Sequence, residues 1–288
     1  MQFKSKRDVA RQMSEAMTLT GPFILERQGC PLAYWRAGPE DAPAVVFCHG
    51  ARMDHRIFDD QLACLVPGYQ VLLIDLRGHG QSRPMGEAFS IDVAAEDVMA
   101  LMDRCLMGKA VLLGHSMGGL IVQTIAKHHP ERVRGLVLIG TTRLTAKLPP
   151  FSGILQKAFN KIVDISPDSW TKWLLGRGAG TQERTKRTAA RASQMIPKED
   201  FQIIWAGILQ GLRPEPAYQL PVPVLLVQSD KDWVGLGLLR FLSHGWAKHE
   251  AQCHYVIIPN ARHNMMQDSP EVFNRHLLKF LNALSAPD

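Results

Sequence analysis

An α/β fold built on a mostly parallel central sheet of about eight strands, with helices on both faces, is the architecture this 288-residue sequence predicts. Three observations carry that expectation. Short apolar runs alternate with helical patterns along most of the chain. One serine stands where such a run turns sharply into a helix. Composition and punctuation also change together in one internal stretch, which reads as a helical insertion rather than as part of the sheet.

The elements follow in order. Phe23 to Arg27 and Leu32 to Arg36 flank Gly29 and read as a hairpin. Ala44 to His49, Gln70 to Asp75, Ala110 to Gly114 and Val133 to Ile139 are apolar runs of the kind buried on both faces of a parallel sheet. Helical patterns follow at Ile57 to Val66, Ile91 to Met107 and Met117 to His128, the last ended by Pro130. Val222 to Gln228 and His254 to Ile258 supply two later strands, and Pro270 to Leu284 closes the chain as a helix. Right-handed crossovers bring the carboxyl ends of parallel strands to one rim, where reactive groups gather.

The internal stretch Arg143 to Tyr218 holds twelve Lys or Arg against six Asp or Glu, which equals the whole net charge of +6. Pro149-Pro150, Gly176 to Gly180 and Pro214-Glu215-Pro216 punctuate it, and Phe151, Phe159, Trp170, Trp173, Phe201 and Trp205 lie between the breaks. The basic run from Thr181 to Arg191 reads as a solvated helix face. Its aromatics fall at core-like spacing without a recognised nucleic-acid motif, so nucleic acid is not an expected partner.

No apolar run is long enough to span a bilayer. Met1 to Met17 is rich in Lys, Arg and Gln and lacks an apolar core, so a secretory signal is not expected. Val9, Met13 and Met17 recur at helical spacing and suggest a short extension packed on the body, within residues 1–20. Five widely spaced cysteines (Cys30, Cys48, Cys64, Cys105, Cys253), with no C-x-x-C, imply reduced thiols and a cytoplasmic location. The histidines show no zinc-like spacing, so no metal is implied. The sequence carries no signature of a particular oligomeric state.

The serine lies in Val111-Leu112-Leu113-Gly114-His115-Ser116-Met117-Gly118-Gly119, which contains G-x-S-x-G. Glycines two residues either side remove side chains that would collide in so tight a turn, and the serine hydroxyl is left projecting above the sheet. The amide of Met117 opens the following helix and points at whatever the serine attacks. A serine hydroxyl is a poor nucleophile near neutral pH and needs a base, which itself needs an orienting acid. His263 fits the base: it follows the strand ending at Ile258 by a short turn. His254 lies at that strand's start, and His276 lies within the final helix. The acid is Asp230 or Asp232, after the strand ending at Gln228. The order serine, acid, histidine is that of nucleophile-elbow hydrolases.

These residues together resemble the α/β-hydrolase fold superfamily, and within it the lidded serine esterases and lactonases. The matching positions run from about Phe23 to the end: His49-Gly50, Asp75 to Ser82 with Arg77, Gly78, His79 and Gly80, Gly114 to Gly119, Asp232 and His263. The resemblance selects Asp232 over Asp230; members commonly carry glycine three residues before the acid, and Ser229 takes that place here. It implies an oxyanion hole from the backbone amides of Ala51 and Met117, with His49 bracing the loop. It also implies a hydrolase core of residues 1–142 and 219–288, with residues 143–218 as a helical lid after the sixth strand. Arg52, His115, Trp170, Trp173, Trp205 and Trp233 are candidate pocket walls.

The activity implied is hydrolysis of a small-molecule carboxylic ester or lactone through an acyl-enzyme on Ser116, without a cofactor. Other readings use the same fold: carbon–carbon bond hydrolysis, cofactor-free haloperoxidase or perhydrolase chemistry, and a ligand receptor with a vestigial triad. Dehalogenases and epoxide hydrolases resemble the fold but carry aspartate where Ser116 stands.

Overall fold

The computed structural model describes residues 18–146, 161, 166–167, 169, 176–232 and 238–285. The extension suggested by Val9, Met13 and Met17 lies outside these residues, as do Trp170, Trp173 and Trp233. The sheet has eight strands in the order β1-β2-β4-β3-β5-β6-β7-β8: β1 (Thr20–Arg27), β2 (Cys30–Ala37), β3 (Ala44–Cys48), β4 (Gln70–Ile74), β5 (Ala110–His115), β6 (Val133–Ile139), β7 (Val224–Ser229) and β8 (Cys253–Ile258). Strands β3 to β8 run parallel, while β1 and β2 form the antiparallel edge. Gln28 and Gly29 join that hairpin at φ 49° and 71°, the paired positive values that a two-residue turn needs to follow strand twist.

The helices are α1 (Asp59–Leu65), α2 (Ile91–Arg104), α3 (Met117–His128), α4 (Glu183–Gln194), α5 (Lys198–Gly211), α6 (Leu238–Ala247), α7 (Met265–Asp268) and α8 (Pro270–Ser285). The pattern Ile57 to Val66 divides into a 3₁₀ turn, His55–Phe58, and α1, because the Asp54 carboxylate caps the amide of Arg56 at 3.0 Å and starts the turn early. Ser90 caps α2 by accepting from Val93 N at 3.0 Å. That helix ends three residues before Met107, where Leu106 takes φ 56°. The glycine-rich run read as punctuation is helical over residues 176–179 and breaks at Gly180. In α4 the residues Thr185, Ala189, Ala192 and Ser193 are buried while Glu183, Arg184, Arg187 and Arg191 stay exposed, as its spacing predicts.

Strand alternation divides the core into two layers. Val46, Leu72, Leu112, Leu138 and Leu226 face Val98, Met102, Leu120 and Ile125 of α2 and α3. Val45, Leu73, Leu113, Val137 and Val227 face Leu65 of α1 and Phe273, Leu277 and Leu281 of α8. Strands β3, β4, β5 and β7 are buried along their whole length, which is why their runs are continuously apolar, whereas the edge strand β8 exposes His254 and Ile257. All five thiols are free, and burial pushes those of Cys48 and Cys253 up to about 12. Among the described residues no helix is long and apolar enough to cross a membrane.

One buried ion pair fixes the loop after β4 to the helical layer. Arg77 is fully buried and gives Asp97 two bonds, at 2.7 and 2.8 Å, with further bonds to Met85 O and Arg27 O. Arg27 adds a third bond to Asp97 at 3.0 Å. Arg77 is therefore a structural anchor. Removing one partner strands a buried charge, so Asp97→Ala is expected to lower the unfolding free energy by about 3–5 kcal/mol in urea titrations. A loss well under 1 kcal/mol would contradict this assignment.

Candidate active site

The chain turns from β5 into α3 through Ser116 alone, held at φ 51° and ψ −115°. A methyl group on Gly114 would lie 2.4 Å from Gly118 O, and one on Gly118 would lie 2.1 Å from Cys48 O. Both glycines of the motif are therefore demanded by contact as well as by turn geometry. Ser116 N donates to Ile139 O at 2.8 Å, and Thr141 Oγ1 donates to Ser116 O at 2.8 Å, tying the turn to the end of β6. The serine side chain makes no capping bond to α3. Strain at a single non-glycine residue, retained by so many contacts, is the pattern of a functional turn.

The loop after β3 closes over this turn. A methyl on Gly50 would come within 3.1 Å of Ser116 Cβ and 2.7 Å of His115 Nδ1, which sets the main chain of Gly50 directly beside the serine. His49 braces the loop: its Nδ1 pairs with Gly50 O at 2.8 Å, and its Nε2 accepts from Leu76 N at 2.9 Å. That pair of roles fits the neutral ring with its proton on Nδ1. Ala51 follows Gly50, half-buried against the core.

His263 lies at the far side of the same rim. Its Nδ1 pairs with Asp232 Oδ2 at 2.7 Å, and both groups are buried. Asp230 is exposed and accepts from Ala261 N at 3.3 Å, shaping the turn instead. Asp232, not Asp230, is the aspartate brought to His263. Gly140, at φ 55° after β6, leaves room for the ring, since a methyl there would be 3.2 Å from both Cε1 and Nδ1 of His263. His115 is fully buried; its Nε2 pairs with His263 O at 3.1 Å and its ring centre lies 4.6 Å from that of His263. The residue beside Ser116 thus touches the histidine directly.

Of the candidate pocket walls, Arg52 is buried at φ 58°, bonded to Ser193 Oγ of α4 at 3.3 Å and 4.2 Å from the ring centre of Phe201 in α5. Trp205 is half-buried on α5, 6.1 Å from Phe201. Asp54, His55 and Asp75 also converge, but their atoms are spent on the turn after β3 and on tying it to the loop after β4. Asp75 accepts from His55 N, His55 Nδ1 and Gln81 N, and Asp54 pairs with Arg56. Burial opposes ionisation of Asp75, yet its bond to His55 holds its carboxyl below the usual range. Two features had no local signal in the sequence. Gly140 is an isolated glycine outside any motif, and two of the three residues whose amides donate to the Asp268 carboxylate lie 86 and 87 positions earlier.

With fold and site in place, the class of protein is defined. The profile of the α/β-hydrolase fold family matches residues 43–194, and the chain belongs to that family. It is similar to 3-oxoadipate enol-lactonase 1 of Acinetobacter baylyi, 24% identical over 91% of this chain and 97% of that protein. It is also similar to a non-heme chloroperoxidase of Burkholderia pyrrocinia, 23% identical over 91% of this chain and 100% of that protein. Among solved structures, a thermophilic esterase from Thermogutta terrifontis superposes with TM-score 0.76 at 21% identity, covering 93% of this chain and all of that one.

Three rings around the site carry a pH signature. Burial lowers the pKa of His49 and takes His79 down to about 3, while burial and the neighbouring His263 hold His115 well below 6.5. The native state keeps them neutral, whereas the unfolded chain protonates them near pH 6.5. Their folded values lie below the unfolded ones, so stability is intact above about pH 7 and is lost as pH falls through about 6.5. The loss reaches about 1.4 kcal/mol per pH unit for a ring such as His79, whose folded value lies far below this window. Urea midpoints are therefore expected to be lower at pH 5.5 than at pH 7.5, and an equal or higher midpoint at pH 5.5 would refute the neutral assignment.

Proposed function

We propose that the chain is a serine hydrolase of carboxylic esters or lactones, with Ser116 as nucleophile, His263 as base and Asp232 as orienting acid. The observation that carries the reading is the 2.7 Å bond between buried Asp232 and His263, at the rim where Ser116 is held at positive φ. The enol-lactonase and esterase relatives support the reaction class.

The steps follow from these groups. His263 Nδ1–H is held by Asp232, which leaves Nε2 to take the serine proton as Oγ attacks the carbonyl carbon. Negative charge passes to the carbonyl oxygen, which the backbone amides of Ala51 and Met117 receive, the latter at the N-terminus of α3. Collapse breaks the bond to the alcohol oxygen, which takes the proton from His263. Water, deprotonated by the same ring, then cleaves the acyl–serine ester and frees the acid. Asp232 stabilises the imidazolium at each stage.

Residues 143–218 form the lid in this reading, with α4 and α5 resting over the oxyanion loop through Ser193 and Phe201 against Arg52. Arg52, His115 and Trp205, with Trp170, Trp173 and Trp233, are proposed to shape the pocket around the leaving and acyl groups. The chloroperoxidase relative favours a second reading, in which peroxide replaces water in deacylation and yields a peracid on the same three residues.

Ser116→Ala is expected to abolish both hydrolysis of p-nitrophenyl butyrate and labelling by a fluorophosphonate; undiminished labelling would overturn the assignment. Asp232→Asn is expected to lower kcat by roughly 10⁴ by favouring the wrong tautomer of His263. Asp230→Asn should stay within a few-fold of wild type, and the reverse ranking of these two variants would exchange their roles.

A further inference from the structure

We infer that Asp268 is a positioning residue that couples the seating of the β6–β7 insertion to the placement of His263. This rests on the proposed role of His263 as base and extends it to how that base is held. Asp268 is buried at the end of α7, five residues after His263, and α7 is anchored by the fully buried side chains of Met265 and Met266.

The Asp268 carboxylate takes backbone N–H groups from two distant segments. Thr181 N donates to both oxygens, at 3.0 and 2.8 Å, and Gln182 N donates at 3.2 Å. Arg262 N, on the residue immediately before His263, donates to Oδ2 at 2.9 Å. The Asp268 carbonyl also accepts from Gln182 Nε2 at 2.6 Å. One carboxylate therefore joins the strap of residues 177–182, which leads into α4, to the loop that carries the base.

The strap grips that loop on both sides of His263. Ahead of it, Arg262 Nη1 donates to Arg177 O at 2.5 Å; behind it, Asn264 N donates to Ala179 O at 2.7 Å. Thr181 Oγ1 adds a bond to Asn260 O at 3.4 Å. Two further anchors come from elsewhere: His115 of the nucleophile turn holds the His263 carbonyl, and Ser229 Oγ at the end of β7 donates to the Arg262 carbonyl at 2.9 Å. The fit is close: a methyl on Gly180 would lie 2.8 Å from Asp268 Oδ1 and 2.3 Å from Thr185 Cγ2. Two of the four hydrogen bonds that fix the peptide units around the imidazole thus depend on Asp268 or on the strap it holds. A shift of the strap on substrate entry would reach the base along two routes, the main-chain bond from Asn264 N to Ala179 O and the buried Asp268 carboxylate shared with Arg262 N.

The test pairs Asp268→Asn, which replaces one acceptor oxygen with a donor, with Thr181→Pro, which removes a strap donor and leaves the carboxylate intact. Activity is counted per serine titrated with a fluorophosphonate, so that partial misfolding does not register. Both variants are expected to lose about tenfold in kcat, the scale of one net hydrogen bond, with KM changed less than twofold. Hydrogen exchange at the amides of Arg262 and Asn264 should accelerate about tenfold in Thr181→Pro, although the substitution is on the other segment. Unchanged kcat per titrated serine in both variants, or faster exchange confined to the strap, would overturn the proposal. A wild-type protein that neither turns over esters nor labels at Ser116 would instead sink the hydrolase reading, and the exchange at residues 262 and 264 would still decide the coupling.

Discussion

The turn at Ser116 constrains more of this molecule than its length suggests. A serine at φ 51° is unfavourable unless its surroundings leave no alternative, and here two glycines, the end of β3 and the end of β6 press on it at once. Gly118 packs against Cys48 O, so β3 cannot shift without releasing the turn; Ile139 and Thr141 bond its main chain, so β6 is equally committed. Three neighbouring parallel strands therefore end in one fixed arrangement, and the loops that follow them have defined points of departure. The loop beginning at Gly50 and the glycine at 140 each border the serine or the histidine because of that arrangement.

Around this turn the polar groups are held in single states by burial. His49, His79 and His115 are enclosed and neutral, so each offers one donor and one acceptor in a fixed direction. His49 spends one on Gly50 O beside the serine and the other on Leu76 N after β4, and His115 spends one on the carbonyl of His263. The histidine next to the serine in the motif is then more than a spacer, since it links the Ser116 turn and the His263 loop through one bond. Asp75 and Arg77 perform comparable service on the loop after β4, where burial makes each unmade bond costly.

Much of this was legible in the sequence. The parallel strands announced themselves as uninterrupted apolar runs, because both faces of the sheet are covered. Ser116 was marked by its glycines and by the strand and helix on either side. His263 was marked by its place after the last strand. The choice of Asp232 over Asp230 needed the resemblance, since a single loop residue separates them and loop direction has no periodic signal. The structure gives the reason: Asp230 turns outward to Ala261 N while Asp232 turns in. What could not be read was whatever depends on distant backbone. The 3₁₀ turn at His55–Phe58, the short α7 and the bonds of Asp268 to residues 181 and 182 arise from packing between segments far apart in the chain.

The central proposal is that Ser116, His263 and the amides of Ala51 and Met117 converge on one reacting carbonyl group. A crystal structure of the protein treated with a diethyl phosphonate or boronic acid tests it most directly. The account predicts a covalent bond to Ser116 Oγ, one adduct oxygen within about 3.2 Å of both amide nitrogens, and His263 Nε2 facing the serine oxygen. An adduct on another residue, or one on Ser116 whose oxygen meets neither amide, would contradict it.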